Sequence, residues 1–234
     1  MKKIILSVVS ATIQIAAIAQ TVNVHFKNGQ VIEYPSENVD YVDFSVASTP
    51  STITAGEAVD LGLSVLWASC NLGASKPEEA GGYFSWGETK TKDYYDENSY
   101  SYFDKTSQSY INIGSNISNT EYDAAKVLLG NGWRMPTDSE IKELIDNCKW
   151  EWKDAGYVVT GKNGNAIFIP AAGYKLLNAI VGNAKDLYYW GSTLYGYSDF
   201  NAFCLFKISG VDIMIYDYNR NRGLPIRPVK NKTN

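Results

Sequence analysis

Residues 188–218 read YYWGSTLYGYSDFNAFCLFKISGVDIMIYDY, and NRNRGLPIRPV follows at 219–229. Every second residue of 211–216 is Val or Ile, which is typical of a β-strand with one buried face. The segment holds ten aromatic rings among Asn, Asp, Ser and Gly, whereas a fully buried strand is usually rich in Val, Ile and Leu. Rings with polar tips offer a large contact area at low conformational cost. The segment therefore predicts two or three strands that display a recognition surface.

Two short helices are predicted before this segment. The first spans 121–129, with Thr120 or Asn119 as its cap. The second follows a capping box at 137–140 and carries apolar residues at 141, 144, 145 and 148, which lie on one helix face. Asn163-Gly164 then predicts a hairpin between 157–160 and 166–169. Because helices and strands do not alternate, the pattern indicates an α+β fold with antiparallel strands.

The first 19 residues have the pattern of a secretory signal peptide. Lys2 and Lys3 precede an apolar stretch at 4–18, and Ala17 and Ala19 supply the small residues that signal peptidase needs. A membrane anchor is the alternative, but the stretch is short and dotted with polar residues. We expect the mature chain to begin at Gln20 and to be exported to the periplasm, the cell surface or the exterior. No later segment is a candidate membrane span.

The rest of the chain divides into three segments according to its composition. Residues 20–46 are predicted to form a small β-hairpin element around Asn28-Gly29, with a third short run at 41–44 that can pair with it. Residues 47–57 have the composition of a linker, and 58–230 are predicted to form the main domain. Three short strands bury little surface alone, so 20–46 is either an appendage or a strand donor to a partner chain.

Charge and composition disfavour several classes of function. The chain has 234 residues and a formal net charge of -4 without a basic stripe, which argues against nucleic acid as a partner. The single histidine, His25, rules out histidine-assisted nucleophiles and multi-histidine metal sites within one chain. No phosphate-binding loop or metal motif appears. We therefore expect no enzymatic activity, no metal and no cofactor.

Carboxylates are the remaining candidates for chemistry. They stand in a long loop at 93, 96 and 97 and in the C-terminal segment as Asp199, Asp212 and Asp217. A carbohydrate-active or modifying enzyme would need two of them to converge, which a sequence cannot show. This enzyme is the first alternative to a binding protein.

The cysteines and two arginines have structural interpretations. In an oxidising compartment two of the three cysteines can pair, and Cys70 with Cys148 is the pair that we expect. Cys204, in AFCLF, is predicted to be a small buried hydrophobic residue. Arg134, in GWRMPT, and Arg227, in PIRPV, are predicted to support loops from beneath.

The ordered motifs resemble the major paralogous domain family that is named after Fibrobacter and is abundant in gut Bacteroidetes. The motifs that carry the resemblance are VDLGLSVLWASCNLGA (59–74), GGYFSWGET (81–89), YDAAKVLLGNGWRMPT (122–137), NCKW (147–150), NGNAIFIPAAGY (163–174), YYWGSTLYG (188–196) and GLPIRPV (223–229). The N-terminal hairpin also resembles an element that often precedes such domains in secreted Bacteroidetes proteins.

This resemblance implies a C-type-lectin-like domain whose last strands display side chains for binding. The ending is also similar to variable proteins of diversity-generating retroelements. Together with Trp190, the matching positions form the candidate ligand-binding set: Tyr195, Tyr197, Asp199, Asn201, Asp212, Met214, Tyr216, Tyr218, Asn219 and Asn221. The chain lacks the Glu-Pro-Asn and Trp-Asn-Asp motifs of calcium-dependent lectins, which disfavours calcium-mediated sugar binding.

The leading hypothesis is an exported, non-enzymatic binding or adhesion protein. Its C-terminal rings would stack on a glycan or protein ligand, while Asn and Asp side chains would give direction. The alternatives are the enzyme described above and a structural subunit of a surface appendage that pairs strands through residues 20–46.

Overall fold

The computed structural model describes residues 4–5, 12–14, 21–25, 30–35, 42–43 and 53–232. The chain forms two compact units, Met1–Thr52 and Ile53–Asn234. The second unit begins earlier than the predicted linker boundary. Backbone carbonyls of residues 54, 55 and 57 accept hydrogen bonds from the N–H groups of residues 73, 70 and 69. Residues 53–57 therefore belong to the main folded unit and not to a linker.

The described residues of the first unit form five short strands. They are β1 (Ile4–Ile5), β2 (Thr12–Gln14), β3 (Thr21–His25), β4 (Val31–Pro35) and β5 (Val42–Asp43). β3 and β4 pair antiparallel, as predicted, while the Asn28-Gly29 turn lies outside the described residues. The prediction that 41–44 joins this hairpin is wrong, because β5 pairs in parallel with β1. β1 and β2 lie within the expected signal peptide, whose cleavage stays a prediction.

The second unit has two helices and fourteen strands within residues 53–232. The helices are α1 (Ala124–Leu129) and α2 (Asp138–Asn147). The strands are β6 (Ala58–Asp60), β7 (Val65–Ala68), β8 (Phe103–Asp104), β9 (Ser109–Tyr110), β10 (Trp133–Arg134), β11 (Lys149–Lys153), β12 (Gly156–Thr160), β13 (Ala166–Pro170), β14 (Tyr174–Leu176), β15 (Ala179–Val181), β16 (Leu187–Leu194), β17 (Asn201–Lys207), β18 (Met214–Asn219) and β19 (Val229–Asn231).

These strands form small antiparallel sheets, which confirms the α+β class. The sheet orders are β10-β19-β7-β6, β11-β12-β13, β14-β15, β16-β17-β18 and β8-β9. The predicted hairpin around Asn163-Gly164 is present as β12 and β13. Residues 81–87 form no regular strand: they make one isolated bridge, between Phe84 and Leu224, and donate further backbone hydrogen bonds to the carbonyls of residues 72 and 220. Among the described residues, no helix is long and apolar enough to cross a bilayer.

Local sequence determines where both helices begin. Thr137 caps α2 and forms the predicted capping box with Glu140, and Ile141 and Leu144 are buried. α1 begins three residues later than predicted. Asp123 is its N-cap and accepts from the N–H of Lys126, so the chain before it is not helical.

The sheet β16-β17-β18 separates two hydrophobic cores. On one face the buried residues are Tyr188, Trp190, Ala202, Cys204 and Phe206. On the other face Leu187, Tyr189 and Leu205 are buried in the core that also contains Ile141 and Leu144 of α2. Cys204 is therefore the buried residue that was predicted. Because β16 and β17 are largely covered on both faces, the surface of this sheet lies at β18 and at the loop 195–200.

The expected disulfide is absent, since all three cysteines are free. Cys70 is buried beside Ser69 in the segment that pairs with residues 53–57. Cys148 ends α2 and packs on the core beneath that helix. The two thiols thus belong to different parts of the domain. The predicted scaffold role of Arg227 is confirmed, because its buried guanidinium donates to the carbonyls of Ala68 and Phe168.

Candidate binding surface at the edge of the last sheet

Strand register assigns the C-terminal side chains to two opposite faces. Ala202, Cys204 and Phe206 of β17 lie opposite Tyr218, Tyr216 and Met214 of β18. Residues that are directly opposite in a sheet share a face. We call the side that carries Tyr188, Phe206, Met214, Tyr216 and Tyr218 the aromatic face. The residues between them point to the other side, which we call the polar face after Asn201, Asp217 and Asn219.

The aromatic face is a row of rings in mutual contact. The ring centroids of Tyr188 and Phe206 are 5.2 Å apart, and those of Phe206 and Tyr216 are 4.9 Å apart. Tyr174 of β14 extends the row, at 4.7 Å from Tyr188 and 5.0 Å from Tyr218. Edge-to-face and tilted pairs of this kind hold each ring in one orientation. The row is therefore rigid before any ligand arrives.

Only one end of the row is open to solvent. Tyr188 and Phe206 are 7% and 8% exposed, whereas Tyr216 is 45% and Met214 is 39% exposed. Tyr218 is intermediate and packs on the core. The open end is thus formed by an aromatic ring and a polarizable thioether, side chains that are enriched at protein interfaces.

Burial affects two hydroxyl groups of the row, those of Tyr188 and Tyr218. Burial raises the pKa of Tyr188 to about 12, and the nearby Asp186 carboxylate acts in the same direction. Burial also raises the pKa of Tyr218, with a further contribution from its hydrogen bond to Tyr174. The Tyr188 and Tyr218 hydroxyl groups therefore stay uncharged at neutral pH.

The polar face does not share a surface with the row of rings, but it carries rings of its own, because Phe203 lies opposite Asp217 and Tyr195 packs on Phe203. Asn201 Nδ2 donates to Asp217 Oδ2 at 2.6 Å, and Tyr110 donates its hydroxyl to Asn219 Oδ1 at 2.9 Å. These side chains are already paired within the protein. Tyr216 and Met214 therefore lie apart from these amides and this carboxylate, and the rings that share a face with them are Phe203 and Tyr195.

The loop 195–200 carries two further candidates. Tyr197 is 92% exposed, while Tyr195 packs on Phe203 with ring centroids 5.3 Å apart. Asp199 is exposed in this loop, and Asp212 is exposed in the loop before β18. The two carboxylates flank opposite ends of the seven-residue strand β17, which spans about 20 Å. They form no acid–base pair.

Two residues of the candidate set are buried and offer no surface to a ligand in this structure. Trp190 has no exposed surface, and its indole N–H donates to the carbonyl of Phe84 at 2.7 Å. Asn221 is 2% exposed, and its Nδ2 donates to the Tyr110 hydroxyl at 2.9 Å. Asn221 faces the interior because the chain leaves β18 and turns beneath the loop 100–111, whereas Trp190 lies on β16, which is covered on both faces.

Arg220 is a central residue that the sequence analysis missed. Its buried guanidinium donates to the Tyr100 hydroxyl at 3.0 Å, to the Asp199 carbonyl at 3.0 Å and to the Ile111 carbonyl at 3.1 Å. It also lies over the Trp86 ring at 4.8 Å. Arg220 thereby joins the long loop 90–119 to the loop 195–200. The only sequence signal for this linking role was the high local density of aromatic residues, whose rings can stack on a guanidinium group.

A second surface feature was also missed. Trp152 is 51% exposed and packs edge-on against Tyr157 at 5.1 Å. The two rings line an open cleft of about 430 Å³ whose other walls include Lys185, Asp186 and Lys207. Among the described residues, no group of three or more His, Cys, Asp or Glu side chains could hold a metal ion.

Comparison with known proteins gave no match: no family model, no curated protein and no solved structure is significantly similar to this chain. The resemblance drawn from the ordered motifs therefore stays a prediction.

Proposed function

We propose that this chain is an exported, non-enzymatic binding protein with a C-type-lectin-like main domain, and that its aromatic face contacts a protein ligand. The observation that carries the proposal is the open end of the ring row, where Tyr216 and Met214 are 45% and 39% exposed. Large apolar groups at such exposure, fixed by buried neighbours, are the usual anchors of a binding surface.

The composition of the aromatic face favours a protein over a glycan as the ligand of that face. A glycan site combines a ring with amides or carboxylates that bond the sugar hydroxyl groups. Here Asn201, Asp217 and Asn219 lie on the opposite face and already have partners. The aromatic face instead presents neutral rings and a thioether, which suit apolar side chains of a partner.

The rigidity of the row supports tight binding. Tyr216 contacts Phe206, which contacts Tyr188, and Tyr188 is buried in the core. Immobilising a free side chain on binding costs about 0.5–1.5 kcal/mol. Because the sheet has already ordered these rings, most of that cost is met during folding.

The enzyme alternative receives no support from the carboxylates, because Asp199 and Asp212 flank opposite ends of β17 and Asp217 is hydrogen-bonded to Asn201. The appendage alternative depends on residues 20–46, of which 21–25 and 30–35 are described. In that part β4 pairs with β3 alone, so this alternative keeps a structural basis.

The test begins with arrays of purified extracellular proteins and of glycans, probed with the full chain. Binding is then compared between the wild type and the double variant Met214→Ala/Tyr216→Ala. Tyr94→Ala is the matched control, since Tyr94 is 46% exposed in a different loop. We expect the double variant to bind about 30-fold more weakly, the effect of losing about 2 kcal/mol at a hot spot, and Tyr94→Ala to bind normally.

Two results would contradict the proposal. The first is undiminished binding by the double variant. The second is binding that is lost in Trp152→Ala and retained in the double variant, because the ligand would then occupy the cleft beside Trp152. Tyr218→Ala is not used, since Tyr218 packs on the core and its loss would disturb folding.

A further inference from the structure

β18 is an edge strand. Within residues 53–232 it pairs only with β17, in a sheet whose order is β16-β17-β18. Its pairing runs from Asn201↔Asn219 to Phe206↔Met214 without a register shift, so no bulge twists the edge away. The strand contains neither lysine nor proline, the residues that commonly protect such edges.

The free backbone groups of β18 can be identified from one hydrogen bond. The Arg220 N–H donates to the Phe200 carbonyl at 2.9 Å, just beyond the end of the strand. Hydrogen-bonded pairs alternate in an antiparallel ladder, so Tyr218, Tyr216 and Met214 also direct their backbone groups to β17. Ile215 and Asp217 therefore direct their N–H and C=O groups outward, and no other described residue bonds to them.

Apolar side chains line both sides of this edge. On the aromatic face stand Met214 and Tyr216. On the other side Ile213 and Ile215 face Ile145 of α2 across a groove of about 280 Å³. The rim of this groove carries Lys142 and Asp146, which pair with each other at 2.6 Å. An occupant must therefore be an extended strand with apolar side chains and no required charge.

We propose that the occupant is β18 of a second copy of this chain, paired antiparallel about a two-fold axis at Ile215. In this register Ile215 lies opposite the partner's Ile215, and both have outward backbone groups. Met214 lies opposite the partner's Tyr216, so each exposed apolar side chain of the edge meets one from the other copy. Asp217 lies opposite the partner's Ile213, which keeps the acidic side chains apart.

Pairing in this manner forms one sheet of six strands. It covers the free edge of β18 in both copies. The two-fold axis is perpendicular to the sheet, so both aromatic faces lie on the same side and form one continuous surface. This last consequence rests on the proposed function, whereas the strand pairing itself does not. A ligand would then contact two rows of rings at once, which increases avidity.

Asp217 provides a sharp test, because its N–H points outward. Asp217→Pro removes this donor but leaves the ladder to β17 intact, as proline permits on an edge strand. Asp217→Ala is the matched control, since it loses the same carboxylate but keeps the N–H. Sedimentation velocity of the full chain over a wide concentration range should show dimers for the wild type and Asp217→Ala. It should show monomers for Asp217→Pro with an unchanged circular dichroism spectrum.

A second variant covers the case in which Asp217→Pro does not fold. Met214→Lys/Tyr216→Lys places ammonium groups opposite each other across the axis, at two exposed positions, and should also give monomers. The proposal is overturned if the wild type is monomeric at every concentration, or if the dimer persists in a folded edge variant. The array assay reports ligand binding separately, so a wild type that is monomeric and still binds the ligand would refute the dimer alone.

Discussion

The ion pair of Arg134 and Glu140 is the most informative place to perturb this fold. Arg134 Nη1 and Nη2 donate to the two carboxylate oxygens of Glu140 at 2.8 and 2.6 Å. The same carboxylate accepts from the Thr137 N–H at 2.8 Å and so completes the capping box of α2. The two side chains are only 9% and 14% exposed. One carboxylate therefore serves both β10, which carries Arg134, and the start of α2.

Glu140→Gln keeps the volume of the side chain and removes its charge. The amide nitrogen cannot accept a hydrogen bond, so one guanidinium N–H loses its partner and the buried positive charge is no longer compensated. Breaking a buried pair by removing one partner costs about 3–5 kcal/mol. With a urea slope of about 2 kcal/mol/M, the unfolding midpoint should fall by about 2 M.

The same variant gives a pH signature. Burial by itself would raise the pKa of Glu140, but hydrogen bonds from Arg134 and Thr137 outweigh it and lower the pKa below the ordinary 4.5. A depressed pKa stabilises the folded state above the ordinary value, and this stability is lost as pH falls through the folded-state pKa. The difference in unfolding free energy between wild type and Glu140→Gln should therefore be constant near neutral pH and shrink below pH 4.5.

Urea unfolding followed by tryptophan fluorescence at several pH values measures this difference. The control is Lys142→Gln, which breaks the exposed pair with Asp146 and should change stability by less than about 1 kcal/mol. The reasoning fails if the unfolding free energy of Glu140→Gln differs from that of the wild type by less than about 1 kcal/mol at neutral pH. It also fails if the difference between the two proteins does not depend on pH.

Three further predictions follow from burial and backbone geometry. Iodoacetamide should label the half-buried Cys148 of the native protein but not Cys204, whose burial is complete and raises its pKa; equal labelling on mass analysis would contradict this. Arg220→Lys should expose the loops 195–200 and 100–111 to limited proteolysis, because an ammonium group cannot replace three separate guanidinium donors. Gly173→Ala should lower the unfolding free energy by about 2–3 kcal/mol, since a Cβ would lie 2.0 Å from a backbone carbonyl oxygen. The control is Gly164→Ala, which is in open space with φ +86 and should lower it by only about 1 kcal/mol. Thermal unfolding measures both changes.

The sequence predicted local features best. The capping box at Thr137, the hairpin around Asn163-Gly164 and the alternation at 211–216 all depend on neighbours within a few residues. The α1 boundary was missed because Asp123, inside the predicted helix, caps it instead. Such competition between nearby capping residues has no clear signature in a single sequence.

The candidate site was predicted only in part, because exposure is decided by distant contacts. Tyr216 and Trp190 are both aromatic residues of predicted strands, yet one is half exposed and the other is buried under Phe84. The difference arises from strand order, since β18 is at the edge of the sheet and β16 is covered on both faces. The expected pairing of Cys70 with Cys148 failed because a sequence does not show which thiols lie close in space.

The position of β19 constrains the order in which this domain can be made. Residues 229–231 lie between β7 and β10 in the middle of their sheet, and they are the last strand that the structure describes. When residues 53–228 have been synthesised, β7 and β10 are complete, but β19, which pairs with both of them, has not yet been made. Cooperative closure of this sheet must follow synthesis of those three residues, so a nascent chain stalled before them should remain sensitive to protease and dependent on chaperones.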